Sequence, residues 1–222
     1  MKSFKIATMG LCMLAVCSCS TKQGTGTLIG TGAGTVLGGI IGKISGNTAV
    51  GAAIGGAVGA GTGALIGRHM DKVAAETAAQ VKNAKVEEVT DANGLKAVKV
   101  TFDSGILFDL NQATLNSSSK KELAKFSNVL KENSNCHVDI YGYTDRSGND
   151  AINVPLSQKR AQSVANYLSS CGVSNTQMQN VVGKGSQDEI ENKRVSKMNR
   201  RVEVYLYASQ AMIDAANAGT LN

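Results

Sequence analysis

The sequence has few of the residues that build common metal and catalytic sites. It contains no tryptophan, one proline and two histidines, His69 and His137, which lie in different segments. Neither histidine has cysteines or carboxylates nearby at the spacing that zinc sites use. No G-x-S-x-G sequence is present, which argues against a hydrolase nucleophile elbow. We therefore predict no catalytic residue, no metal and no cofactor.

Other ligand-binding motifs are incomplete. The segment that begins at Asp145 starts like a calcium loop, but an EF-hand has glycine at the position of Asp150 and glutamate at that of Leu156. Gly183-x-Gly185 lacks the third glycine of a dinucleotide-binding turn. The formal charge is +6, yet no basic run is interleaved with aromatic residues. Nucleic acid is therefore not an expected partner.

The first 18 residues have the parts of a secretory signal peptide. Lys2 and Lys5 precede an apolar core over residues 6–16. This core is shorter than the ~20 apolar residues that cross a bilayer, so it does not predict a transmembrane helix. Removal of residues 1–18 lowers the formal charge to +4.

The end of this signal resembles the lipobox of bacterial lipoproteins. The small residue Ser18 precedes Cys19, which would become the lipidated first residue of a mature N-terminal segment, 19–23. Several acyl chains, each contributing ~0.8 kcal/mol per buried methylene, give a lasting membrane anchor. Ser20 is not the aspartate that retains such proteins in the inner membrane of enterobacteria, which favours the outer membrane. The alternative is an ordinary signal peptide that happens to contain cysteines.

A ladder of glycines follows, with one glycine at every fourth position over 26–46 and again over 51–67. This spacing places glycine along one helical face, as in helices that pack closely in lipid. At ~1.5 Å per residue the two runs reach roughly 30 and 25 Å. We predict a membrane-associated helical hairpin over 24–68 that turns at Asn47 and can self-associate. A flexible linker is the alternative, because glycine costs about 1 kcal/mol per helical residue in water.

The rest of the chain alternates strands with helices. Residues 69–93 are rich in alanine, lysine and glutamate and predict a solvated helical linker, which ends in a turn at Asp91–Gly94. Beyond it we predict an α/β domain over 94–208, a layered α+β sandwich whose mixed sheet has helices on one face. A tail over 209–222 is expected to be helical at first. The predicted strands are 96–103, 136–143, 179–183 and 201–207.

One predicted corner of this domain brings an acid and a base together. The strand through Ile140 ends near Asp145, and a loop of turn-forming residues follows. We interpret Ser157 as the N-cap of the next helix, which puts Arg160 in its first turn. Asp145 could then hold an ammonium group and Arg160 a carboxylate, with both side chains exposed. The alternative is a structural ion pair between the two residues.

Four blocks of this region resemble the OmpA-like peptidoglycan-binding domain. They are L-F-D-x-N-x-A-T-L at 107–115, T-D-x-x-G at 144–148, N-x-x-L-S-x-x-R-A at 153–161 and N-R-R-V-E at 199–203. The resemblance spans roughly residues 98–207. It implies a domain that binds diaminopimelate in the peptide stem of peptidoglycan without a covalent bond.

The resemblance also implies which residues bind. Asp145 and Arg160 stand at the positions of the family's two chief contacts with diaminopimelate. Arg200 lies near the groove, where it either meets a stem-peptide carboxylate or is a solvated charge at a strand edge. The other residues that stand at matching motif positions are Thr144, Gly148, Asn153, Leu156, Ser157 and Phe108.

The sequence departs from the family pattern at two positions. Tyr143 stands where the family usually has histidine, and Glu189 replaces a common proline.

Cys136 begins a strand, and Cys171 ends the helix predicted to run back beside that strand. The two either form a disulfide or are small buried apolar side chains.

Together these features predict a non-enzymatic outer-membrane lipoprotein that ties the membrane to the cell wall, with its C-terminal domain in the periplasm. One alternative is an assembly protein that oligomerises through the glycine ladder, and another is a cell-wall hydrolase. Flagellar stators also carry an OmpA-like domain, but their transmembrane helix bears a proton-carrying aspartate. Since no acidic residue lies between Gly24 and Gly67, an ion-conducting stator is not predicted.

Overall fold

The computed structural model describes residues 59–108 and 112–221. The predicted signal peptide, Cys19 and the part of the glycine ladder before Gly59 lie outside these residues. Within the part of the chain that is described, no helix is long and apolar enough to cross a bilayer.

The strands form one mixed sheet of five, in the order β1-β2-β5-β3-β4. Only β3 and β4 run parallel, and the other neighbouring pairs are antiparallel. The strands are β1 Ala84–Thr90, β2 Lys96–Asp103, β3 Cys136–Gly142, β4 Met178–Gly183 and β5 Arg201–Ala208. The helices are α1 Ala60–Gln80, α2 Ser104–Leu107, α3 Ser117–Glu132, α4 Asp150–Ser170 and α5 Gln210–Asn217. The predicted α/β sandwich with a mixed sheet is confirmed.

The hydrophobic core lies between the sheet and the helices on one of its faces. Alternate residues of β2 point into this core, and Val98, Val100 and Phe102 are each at most 1% exposed. This alternation follows from the period of two in an extended strand. The four α3 residues predicted to face the core, Leu123, Phe126, Val129 and Leu130, are fully buried.

The predicted domain boundary at residue 94 needs correction. Residues 84–90, expected in a helical linker, form strand β1, which pairs with β2 across the turn at Asp91–Gly94. Gly94 has a φ of +79°, which suits glycine in a tight turn. Lys85, Glu87 and Glu88 of β1 misled the prediction, because an edge strand can expose charged residues to solvent.

The end of the predicted membrane segment 24–68 also needs correction, because it belongs to helix α1. This helix begins at Ala60, and its residues Ile66, Met70 and Val73 are at most 1% exposed within the core. The last part of the segment 24–68 therefore packs against the domain. Helix α5, part of the predicted tail, also packs on the core through Met212 and Ile213.

Helix α4 begins earlier than predicted. Its N-cap is Asn149, whose side chain accepts a hydrogen bond from the backbone N–H of Ile152. Ser157 therefore lies inside the helix and not at its start. Pro155 is the sixth residue of α4 and lies inside the helix, where it lacks the N–H that would donate an intrahelical hydrogen bond.

Candidate functional site

A pocket of about 1100 Å³ opens at the end of β3, beside α4 and the segment that follows β2. Eight of the nine residues predicted to bind a ligand line it. They are Phe108, Thr144, Asp145, Gly148, Asn153, Leu156, Arg160 and Arg200. The ninth, Ser157, is fully buried behind the pocket. The structure thus brings together residues that lie almost 100 positions apart in the chain.

Asp145 is held firmly and is only 1% exposed, contrary to the prediction that it is exposed. Its Oδ1 accepts hydrogen bonds from the backbone N–H (3.1 Å) and the hydroxyl of Ser147. Its Oδ2 accepts from the backbone N–H of Ser196 at 3.2 Å and from the guanidinium of Arg200. Burial by itself raises the pKa of Asp145, but these bonds outweigh burial and leave the pKa below its ordinary value. The carboxyl group is therefore ionised at neutral pH.

Arg160 is buried too, with 4% of its surface exposed. Its Nε donates to the carbonyl oxygen of Gln112 at 3.0 Å, and its guanidinium lies 5.3 Å from the ring centre of Phe108. Its Nη1 is buried and has no hydrogen-bond partner. Burial lowers the pKa of Arg160, the neighbouring Arg200 lowers it further, and Asp145 opposes both effects. This guanidinium therefore lacks a full set of acceptors.

The predicted alternative of an ion pair between Asp145 and Arg160 is wrong, because Asp145 pairs with Arg200 instead. Arg160 lies well inside α4 and reaches the pocket beside Phe108 and Gln112. Arg200 is likewise not a solvated strand-edge charge, since only 26% of its side chain is exposed. The pocket thus contains one paired and one incompletely paired arginine.

Asn153 and Ser157 support the pocket by holding its loops. The side-chain amide of Asn153 donates to the carbonyl oxygens of Asp145 at 3.0 Å and Gly148 at 3.1 Å. The hydroxyl of Ser157 accepts from the backbone N–H of Gly185 at 2.9 Å and so ties α4 to the loop after β4. Both residues therefore position the groups that face the pocket.

Close contact between α4 and the sheet depends on two glycines that the sequence did not single out. A Cβ atom on Gly142 would lie 2.2 Å from the carbonyl oxygen of Ser157. A Cβ atom on Gly183 would lie 2.2 Å from the backbone nitrogen of Gln158. Because these clashes involve backbone atoms, only glycine lets α4 lie this close to β3 and β4.

Two hydroxyl groups in the pocket wall also lack partners. Thr144 Oγ1 and Ser104 Oγ are buried without a hydrogen bond, as is Arg160 Nη1. Buried polar groups in folded proteins are nearly always paired, so such atoms at a pocket wall indicate groups that a ligand would satisfy. Ser104 was missed because nothing in the sequence marks the start of the short helix α2.

The rim of the pocket is partly apolar. Ile152 and Val195 line it and are 58% and 65% exposed. Neither was predicted as a site residue, although an exposed isoleucine or valine in a polar loop is a usable signal. Lys159 also lines the pocket and was missed, because lysines on helices are usually solvated.

The departures from the family pattern lie away from the ligand-facing wall. Tyr143 is 1% exposed and stacks against the guanidinium of Arg201 at 3.8 Å. Glu189 forms an ion pair with Arg146 at 2.5 Å. Cys136 and Cys171 are free thiols, so of the two alternatives the disulfide is not present. Cys136 is buried and packs against Met70 with 3.9 Å between the sulfur atoms, whereas Cys171 is partly exposed. Burial raises the pKa of the Cys136 thiol to about 12.

Two family models match the chain. Residues 107–203 match the OmpA family, and residues 1–71 match the YMGG-like Gly-zipper family. The first match covers the pocket residues other than Ser104 and Gly105, and the second covers the glycine ladder, including the start of α1.

Individual proteins match as well. The chain is 31% identical over 144 residues to "Probable lipoprotein YiaD" of Escherichia coli K12, covering 64% of each protein. It is 34% identical over 111 residues to "Peptidoglycan-binding protein ArfA" of Mycobacterium tuberculosis H37Rv, covering 49% of this chain and 34% of that one. The solved structure of the cell wall anchor of the T6SS from Pseudomonas aeruginosa shares the fold, with a TM-score of 0.51, 22% identity and coverage of 63% and 97%. None of these names describes an enzyme.

Proposed function

We propose that residues 107–203, which match the OmpA family, bind peptidoglycan without a covalent bond, through diaminopimelate in the peptide stem. The relative named as peptidoglycan-binding supports this proposal, although the chain covers only a third of that relative's length. The free end of a diaminopimelate side chain carries one ammonium and one carboxylate group. A pocket that contains both an acid and an incompletely paired arginine suits that zwitterion.

The unpaired Nη1 of Arg160 is the observation that carries the proposal. This donor is buried and has no acceptor, and it belongs to a residue that lines the pocket. A ligand carboxylate would supply the acceptor and the compensating charge. Such a contact is stronger than a neutral hydrogen bond, because one partner is a guanidinium and the other a carboxylate.

The ammonium group would bind Asp145. Both carboxylate oxygens already accept hydrogen bonds, so the ammonium must replace one donor. The hydroxyl of Ser147 is the donor most easily replaced, since a hydroxyl rotates freely and Ser147 lies at the pocket wall. The backbone N–H donors and Arg200 would keep their places.

Membrane attachment completes the proposed role. The predicted lipidation at Cys19 would supply an anchor in the outer membrane, with the domain in the periplasm, and the Gly-zipper match over residues 1–71 supports membrane association. Many such anchors on one polymer would act with avidity, even if each site binds modestly. The protein would then tie the outer membrane to the wall without turning anything over.

Hydrolysis of the wall is less well supported. Glycoside hydrolysis uses two carboxyl groups that flank the scissile bond. Among the described residues that line the pocket, Asp145 alone carries a carboxylate. Its ion pair with Arg200 suits binding better than acid catalysis.

Co-sedimentation with purified diaminopimelate-type sacculi tests the proposal. The full chain in detergent should pellet with the sacculi, and Arg160→Gln should remain in the supernatant at an unchanged melting temperature. Arg194→Gln removes an equal charge from an exposed residue of the loop before β5 and should pellet like the wild type. A wild-type protein that stays soluble would overturn the proposed function.

A further inference from the structure

The charges of the pocket do not match a simple zwitterion. Its charged lining residues, within the described part of the chain, are Asp145, Lys159, Arg160 and Arg200. Three positive groups therefore face one negative group, and that carboxylate already has Arg200 as its partner. A ligand that brings only balanced charges leaves this excess in place.

Arg160 and Arg200 both line the pocket, and the charge of Arg200 lowers the pKa of Arg160. The effect of Arg200 on the pKa of Arg160 is larger than the opposing effect of Asp145, so repulsion between the arginines exceeds the attraction by the acid. A carboxylate placed between two guanidiniums removes such repulsion, because each arginine then faces an anion.

Arg200 has donors to spare for this purpose. One Nη1 contact to Asp145 occupies one edge of its guanidinium, which carries five N–H donors. A quarter of its side chain remains exposed, and the residue lines the pocket. Arg160 contributes its buried Nη1 donor, which has no partner. Asp145 then positions Arg200 in addition to any contact that it makes with the ligand.

We propose that Arg160 and Arg200 together clamp one ligand carboxylate, so that the pocket distinguishes a free-acid stem peptide from one whose diaminopimelate carboxylate is amidated. This inference rests on the proposed function. A carboxamide is neutral, so it cannot balance the charges of two guanidinium groups. Its NH₂ group is itself a donor and would face the N–H donors of Arg160 and Arg200. A site built around such a contact rejects an analogue that cannot make it.

A binding titration tests the clamp. The full chain in detergent is titrated with two synthetic tripeptides, L-alanyl-γ-D-glutamyl-meso-diaminopimelate and the same peptide with an amide at the D-centre carboxyl of its diaminopimelate. The wild type should bind the free acid about tenfold or more tightly than the amide, since a charge-assisted hydrogen bond is lost. Arg200→Gln should weaken binding of the free acid more than binding of the amide and so reduce the preference towards unity.

Controls separate the clamp from a general charge effect. Arg194→Gln should keep both the affinity and the preference of the wild type. Equal affinity of the wild type for the two peptides would overturn the clamp and leave peptidoglycan binding intact. An Arg200→Gln protein that binds both peptides equally less well, with the preference retained, would also overturn it, because Arg200 would then act only through Asp145. If the wild type binds neither peptide and does not pellet with sacculi, the proposed function fails together with the clamp.

Discussion

Two buried arginines on opposite sides of the sheet differ in how many of their guanidinium donors have hydrogen-bond partners. This difference distinguishes an arginine that stabilises the fold from one that can bind a ligand. Arg201 and Arg160 are 3% and 4% exposed. The nitrogens of Arg201 donate to Glu203 (2.6 Å), Asn199 O (3.3 Å) and Asp188 O (2.8 Å), and its plane stacks on Tyr143. Arg160 has one hydrogen bond and a buried donor without a partner. A guanidinium with all its partners stabilises the fold, whereas one that lacks partners is available to a ligand.

The surroundings of the two arginines differ in the same way. Glu203 accepts from Arg201, Lys99 (2.8 Å) and the Tyr205 hydroxyl (2.6 Å). Burial raises the pKa of Glu203, but the two cations and the hydroxyl outweigh it and leave this pKa below its ordinary value. This cluster is closed, because each charge finds its opposite within the protein. In the pocket, by contrast, the guanidinium of Arg160 has a buried donor without a partner.

The largest expected effect is on the closed cluster. Arg201→Gln should lower the free energy of unfolding by about 3–5 kcal/mol, because Glu203 loses its main partner while remaining buried. Urea denaturation of the full chain measures this change. Arg194→Gln provides the control for charge and should change stability by less than about 0.5 kcal/mol. If Arg201→Gln were as stable as Arg194→Gln, Arg201 would not stabilise the fold and the proposed difference between Arg201 and Arg160 would be wrong.

Arg160→Gln should reduce ligand affinity strongly and change stability little, in contrast to Arg201→Gln. We expect affinity for the free-acid tripeptide to fall by roughly 30-fold or more, since a charge-assisted contact is removed. Stability should change by less than about 1 kcal/mol, because the substitution also removes an unsatisfied buried donor. Calorimetric titration and thermal unfolding of the same preparation measure both quantities. A stability loss as large as that of Arg201→Gln would make Arg160 a structural residue.

Gly183→Ala connects the pocket to the packing of α4. A Cβ atom at this position meets the backbone of Gln158, so α4 must shift, at a cost of about 1–3 kcal/mol. Because α4 carries Arg160, tripeptide affinity should fall as well. Gly61→Ala is the matched control: nothing lies within 4 Å of its Cβ, and alanine is the better helix former by up to about 1 kcal/mol. Retained affinity in Gly183→Ala would mean that the pocket tolerates movement of α4.

The smallest expected effect is the pH dependence of the unfolding free energy that arises from Asp145. Because hydrogen bonds hold the pKa of Asp145 below its ordinary value, the carboxylate stabilises the folded state fully above about pH 4. This contribution is lost as the pH falls through the folded-state pKa. The difference in unfolding free energy between wild type and Asp145→Asn should therefore shrink below about pH 4.

Asp214→Asn alters an exposed acid on α5 and provides the control for that experiment. Urea unfolding from pH 6 to pH 2 should leave its difference from the wild type nearly constant. A difference for Asp145→Asn that also stayed constant over this range would show that its ionised form contributes nothing to the fold.

Much of the sheet was predictable because its signals are local. Strand β2 has the predicted bounds, and the buried residues of α3 follow from their helical spacing. Strand β1 and the start of α4 were not predicted. Charged residues at a sheet edge resemble a solvated helix, and the turn-forming Asn149 is also a good N-cap.

The site was predictable as a set of residues and not as a set of contacts. The resemblance selected eight lining residues. The interpretation of Ser157 as an N-cap, however, assigned Arg160 to the wrong helical turn, and the partner of Asp145 was left undecided. Gly142 and Gly183 were missed because the backbone atoms that they accommodate belong to a helix elsewhere in the chain. Contacts of this kind depend on long-range packing and leave no local pattern.

The sequence by itself determined the alternation of strands and helices, the glycine ladder and the kinds of charged group in the pocket, because these depend on residue type and short spacing. Only the tertiary structure decided which arginine pairs with Asp145, which one lacks a partner, and that the last part of the ladder packs on the domain. The physical reason is that pairing and burial depend on distances between distant segments. Arg200 and Asp145 are 55 residues apart in the chain, and the fold places them in contact.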